Sequence, residues 1–165
     1  MTTGVHSASV TNTTVQETDP SLTYSGNWTT NVYNPAFSGG GSKYTNADNA
    51  SVSLSFHGSY PLLPINYNAT PRLTVLLGSA IYIFGDKVDD HGLFTVTLDN
   101  RSPQQFDGVS GCGGAFAKYC EKTNTLAYFA SNLDSSLHTV TVRNNAGVNN
   151  SFFGLLPLRI LVHSR

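Results

Sequence analysis

The chain has 165 residues, of which 12% are charged, and a formal net charge of −1. That length is enough for one buried core, and the near-neutral balance argues against nucleic acid or an anionic membrane surface as partner. No apolar run reaches the roughly 18 residues of a bilayer span; the longest, Leu73–Phe84, is broken by Thr74, Gly78 and Ser79.

The opening stretch, MTTGVHSASV, lacks the apolar core of a secretory leader. Residues 1–9 are expected to be a disordered N-terminus or residual expression sequence, with a single β-sandwich domain over 10–165. The composition favours strands and turns: 36 Ser plus Thr, 15 Asn and 15 Gly stand against two Glu and one Met. In ASVSLSFH, Val52, Leu54 and Phe56 alternate with Ser51, Ser53 and Ser55, which predicts a strand with one dry face. LFTVTLDN repeats this with Phe94, Val96 and Leu98, and LHTVTVRN with His138, Val140 and Val142. SAIYIFG and TLAYFAS are apolar on both faces and read as more central strands. Turn signals separate them at NPAFSGGGS, GDKVDDHG, DNRSPQ, SNLDSS and NNAGVNN. Short strands at regular spacing with polar turns predict an all-β sandwich or jelly roll, with a closed barrel as the other solution.

The searches for chemistry return few motifs. The five histidines form no His-Glu-x-x-His, SGGGSKYT lacks the phosphate-loop spacing, and GVSGC lacks the last glycine of a nucleophile elbow. Cys112 and Cys120 complete no zinc set; they read as a local disulfide or as two thiols. GDKVDDHG carries Asp86, Asp89 and Asp90, hard oxygen ligands for a structural calcium, or else a solvated acidic turn. No other cofactor is expected. Asn12, Asn27, Asn49, Asn68, Asn100 and Asn149 head Asn-X-Ser/Thr sequons and are N-glycosylation candidates in a secreted protein. Of the aromatics, Trp28, Tyr33, Tyr44, Tyr60 and Tyr119 sit in or beside loop-like segments, where flat rings can stack on sugar C–H faces. Trp28 in YSGNWTT reads first as a core anchor.

Several blocks taken together resemble a fungal, chiefly basidiomycete, family of secreted or cell-surface proteins. They are TVQETDPSLTYSGNW (14–28), GGGSKYTNADNASVSLSFHG (39–58), GSAIYIFGD (78–86), FTVTLDN (94–100) and LAYFASNLDSSLHTVTVRN (126–144). The extracellular part of such proteins is a galactose-binding-domain-like jelly roll. The resemblance spans most of residues 14–153 and implies that fold, a secretory route, and a binding or wall-associated role; it transfers no catalytic residue. Two places depart from it. An inserted loop or extra strand occupies about 59–77, read either as a genuine insertion around RLTVLL or as translated intron sequence. The ending, GLLPLRILVHSR, also differs from the family's last strand.

The leading expectation is a non-catalytic extracellular module that binds glycan or cell-wall polysaccharide through loops at one rim. Arg101 and Asp107 would bond hydroxyls, and Phe116 and Tyr119 would stack. A structural or self-associating surface protein is the second reading. A glycoside hydrolase or its accessory domain is the third, and it needs two acids converging in a cleft.

Overall fold

Alternation becomes strand wherever the sequence shows it. The computed structural model describes residues 11–32, 41–58, 79–88, 91–109, 122–145, 153–155 and 159–164, and all regular elements among them are β-strands. In chain order these are β1 (Thr11–Val15), β2 (Leu22–Ser25), β3 (Thr29–Val32), β4 (Gly41–Thr45), β5 (Ser51–His57) and β6 (Ser79–Lys87). There follow β7 (Leu93–Leu98), β8 (Gln104–Asp107), β9 (Lys122–Leu133), β10 (Leu137–Asn144), β11 (Phe153–Leu155) and β12 (Arg159–Ser164). No helix among the described residues is long and apolar enough to cross a membrane.

Two larger sheets pack as a jelly-roll sandwich. One is ordered β2-β5-β10-β7-β8, the other β1-β12-β6-β9, and a small third sheet is ordered β11-β4-β3. Strands β5, β7 and β10 sit together in the middle of the five-stranded sheet. They turn Val52, Leu54, Phe94, Val96, Leu98, Val140 and Val142 inward onto Ile81 and Ile83 of β6. Each such side chain contributes about 1.5–3 kcal/mol by leaving water. The opposite face of the same strands is hydroxylic. Ser53 and Thr141 lie 2.8 Å apart across the ladder, and Ser55 and Thr139 2.9 Å, so neighbouring strands share side-chain hydrogen bonds.

Strand β6 is central, between β12 and β9, as its two apolar faces predict. Strand β9 is not: it lies at the sheet edge, which corrects the reading of TLAYFAS as central. Its second apolar set faces solvent, with Leu126 46% and Phe129 59% exposed. Two asparagines with left-handed backbone, Asn124 (φ 52) and Asn132 (φ 58), coincide with shifts in the β6–β9 register. Such bulges bend an edge strand and turn it from regular pairing. The divergent C-terminal segment supplies β12, which pairs with β1 on one side and β6 on the other.

The insert's flanks are well placed. Gly58 donates its N–H to the Ser136 carbonyl (3.2 Å), and Ser79 pairs with Leu133. Both flanks therefore meet the same β9–β10 turn, while β5 and β6 keep their core positions. Residues 59–77 themselves lie outside the described residues, as do 1–9.

Candidate functional site

The two ends of strands β7, β9 and β10 differ in chemistry. At one end, the inward series of β6 runs Ile81, Ile83, Gly85, so the third inward side chain is missing. Gly85 is buried, yet a Cβ placed on it would meet no atom within 4 Å. Across the sheet Gly85 pairs with Thr125, and the next inward residue of β9 is Ala127. These small residues leave a cavity of about 200 Å³ between the sheets. Phe94, Phe106 and Val142 form its walls, and Lys87, Asp107 and Leu126 stand among the residues that surround it. A shallower groove continues along the β8–β9 edge, sharing Phe106, Leu126 and Ala127 and reaching Tyr128 and Phe129. The aromatic rings are ordered: Phe94 stacks on Phe106 (5.5 Å, 23°), Phe106 meets Tyr128 edge-on (5.9 Å, 79°), and Phe129 stacks on Tyr82 (6.3 Å, 17°).

At the other end, His138 is 6% exposed on the dry face of β10. Its Nδ1 lies 2.9 Å from Asp99 Oδ2, and its Nε2 lies 3.2 Å from the Asp134 carbonyl and 3.3 Å from Asp134 Oδ1. Asp99 holds a left-handed φ of 54 and accepts the Thr139 N–H at 2.8 Å. Burial pulls the His138 pKa down, but the Asp99 hydrogen bond, the Asp134 carbonyl and both carboxylate charges outweigh it and raise the value. For Asp99, burial raises the pKa and the bonds from His138 and Thr139, with the His138 and Arg101 charges, lower it on balance. The Ser136 side-chain and backbone hydrogen bonds hold Asp134 low.

Ser136 Oγ lies 3.4 Å from Nε2, so Ser136, His138 and Asp99 line up like a hydrolytic triad. The hydrogen bonding does not suit that chemistry. Nε2 faces two Asp134 oxygens and Nδ1 faces Asp99, so the imidazole donates on both sides. The Ser136 hydroxyl donates to Asp134 Oδ1 instead. His138 in this arrangement is a clamp, without a free lone pair to act as general base.

The sequence candidates fall differently on this frame. Asp107 stands beside the cavity, with Oδ1 accepting the Val109 N–H at 2.8 Å. Arg101 sits in the turn after β7, its N–H bonded to the Leu98 carbonyl, at the His138 end. Asp107 pairs with Leu93 at one end of β7 and Arg101 follows the other end, so the six-residue length of that strand, roughly 17 Å, lies between them. Phe116, Tyr119, Cys112 and Cys120 lie outside the described residues, as do Asp89, Asp90, Asn68 and Asn149. Asp86 is described: its side chain is 5% exposed and lies 3.5 Å from His91 Nδ1. No cluster of three or more His, Cys, Asp or Glu able to hold a metal occurs among the described residues. Asn12, Asn27, Asn49 and Asn100 are exposed.

Trp28 packs partly buried against the core, edge-on to Tyr24 (5.1 Å, 71°), with Nε1 donating to the Ser25 carbonyl at 3.0 Å. Tyr24 donates its hydroxyl to the Glu17 carbonyl (2.8 Å), and Lys43 Nζ lies 4.0 Å from its ring centre. Burial, with the Glu17 charge nearby, raises the Tyr24 pKa. Three features escaped sequence reasoning: the cavity, the His138 clamp, and the buried oxygens of Gln16 and Glu17. Gln16 Oε1 and Glu17 Oε2 have no hydrogen-bond partner among the described residues. A histidine on the dry face of an alternating strand was the available signal for the clamp. The glycine ending the Ile81, Ile83 series was the signal for the cavity.

No family model matches the chain, and no curated protein matches it significantly. Solved structures do. A CBM35 module from Cellvibrio japonicus is 13% identical with a TM-score of 0.54, and the match covers 94% of this chain and 94% of the module. A family two carbohydrate esterase from Cellvibrio japonicus is 13% identical at TM-score 0.55, covering 95% of this chain and 35% of that one. A two-domain esterase active on acetylated mannans is 11% identical at 0.55, covering 94% and 36%. The chain spans about a third of the length of these esterases. The sandwich is thus a galactose-binding-like jelly roll, nearly coextensive with a carbohydrate-binding module.

Proposed function

We propose that this chain is a non-catalytic glycan-binding module of a secreted or cell-surface fungal protein, taking cell-wall polysaccharide along the β8–β9 rim. The observation that carries this reading is the Tyr82–Phe129 stack beside the cleft. Phe129 is 59% exposed and lies nearly parallel to Tyr82, which braces it as a flat platform. A pyranose presents a C–H face to such a ring while its hydroxyls need polar partners. Gln104 along the groove supplies a donor and an acceptor. The coextensive match to a carbohydrate-binding module supports the same role. A screen of plant and fungal wall polysaccharides tests it. Binding should fall at least tenfold in Phe129→Ala with the unfolding midpoint retained; no binding above background by the parent chain would remove the proposal.

The partial coverage of the esterase chains favours a second arrangement, in which the same module serves as accessory domain of a longer hydrolase. The binding surface would be unchanged. Attachment to a catalytic domain in the full transcript would decide it.

A further inference from the structure

We infer that the inter-sheet cavity at Gly85 is a separate binding site for one small aromatic ring of the phenol class. Size comes first. The cavity is about 200 Å³. Apolar cavities of about 150 Å³ in other proteins take benzene. The lining comes second. Phe94 and Phe106 present a stacked pair, and Phe106 already meets Tyr128 edge-on, so an entering ring extends an existing cluster in the geometries that rings prefer. Ile83, Phe94 and Val142 give the lining an apolar part, and Asp86, Lys87, Asp107 and Thr125 a polar part, which suits a flat ring with one hydroxyl better than a pyranose with hydroxyls all round. A phenol differs because one polar atom suffices, and Lys87 and Asp107 are among the residues around the cavity to meet it.

The local sequence keeps the space open. Gly85 has no positive φ to explain a glycine, and a side chain there would enter empty volume. A Cβ at this position meets no neighbour, so a larger side chain can continue the inward series of β6 into the cavity. The backbone therefore tolerates a side chain at a position where it would fill the cavity.

This goes beyond glycan binding, since the ring would sit inside the sandwich and the glycan along its rim. The test is a titration of the whole chain with phenol, with cyclohexanol and glucose as parallel probes, followed by NMR. Phenol should shift the signals of Ile83, Phe94 and Val142 saturably, glucose should not, and cyclohexanol should bind at least tenfold more weakly. Gly85→Leu should lower phenol affinity at least tenfold while keeping the parent's binding of wall polysaccharide, if the chain has any. Ala127→Val, a smaller intrusion from the neighbouring strand β9, should weaken it less and guards against misfolding of the first variant. Equal binding of cyclohexanol, or phenol shifts unchanged in both variants, overturns the assignment.

Discussion

The two ends of the sandwich solve the same packing problem in opposite ways. Around His138, a polar ring is drawn into the dry layer and both its nitrogens find partners, Asp99 on Nδ1 and Asp134 on Nε2, while Thr139 N–H meets the second Asp99 oxygen. Around Gly85, the inward positions are small or apolar and enclose unfilled volume. A buried imidazole with its carboxylates is stable only when fully paired, so that end has one geometry. A void with a largely apolar floor forfeits contacts but leaves the walls free to accept another group. One end holds the fold and the other has room for a ligand.

Breaking the closed end should cost most. A side chain at Gly58 would overlap the carbonyl oxygen of Asp134, a backbone atom that cannot swing aside. Gly58→Ala should therefore lower stability by about 3 kcal/mol or more, read from the urea midpoint. His138→Ala removes a buried ring and the donor that Asp99 accepts from, and should cost about 1–2 kcal/mol in the same measurement. At the open end the sign reverses. Gly85→Leu fills existing space and should raise stability by about 1–2 kcal/mol, as cavity filling does where a site is kept for other purposes.

The smallest expected effect is on pH. The folded His138 pKa is raised, so its contribution is complete below about 6.5 and is lost as pH rises through the higher folded value. The Asp99 pKa is lowered, so its contribution is present above about 3.9 and is lost as pH falls through the lower folded value. Arg101 stands near Asp99, and the Phe56 ring packs on His138 at 5.7 Å without charge of its own. Stability should be highest between about pH 3.9 and 6.5 and should decline as pH rises through the folded His138 value. His138→Ala should flatten the alkaline limb; a limb that persists in that variant would place the titration elsewhere.

These contrasts explain which parts could be read beforehand. Strands β5, β7 and β10 were legible because each has one wet and one dry face, so the period of two carries the burial directly. Strand β9 was misread because apolar residues on both faces look the same whether the second face meets protein or solvent. Phe129 meets solvent, and bulges near Asn124 and Asn132 shift the phase of the strand. The clamp was hidden by distance: Asp99 and His138 are 39 residues apart, and no local spacing links them. Arg101 and Asp107 share one loop-like stretch of the sequence, Asn100–Tyr119. The strand between them instead carries them to opposite ends of the sandwich.

The flanks of the insert carry a last consequence. Gly58 and Ser79 are held by the same turn, and that turn is fastened by the His138 clamp. The two ends of the inserted segment are thus held at one anchored doorway. That doorway lies away from the cleft. Lineages could lengthen, shorten or replace the excursion without reshaping the rim, and a reporter peptide grafted there should travel with the module without altering what it binds.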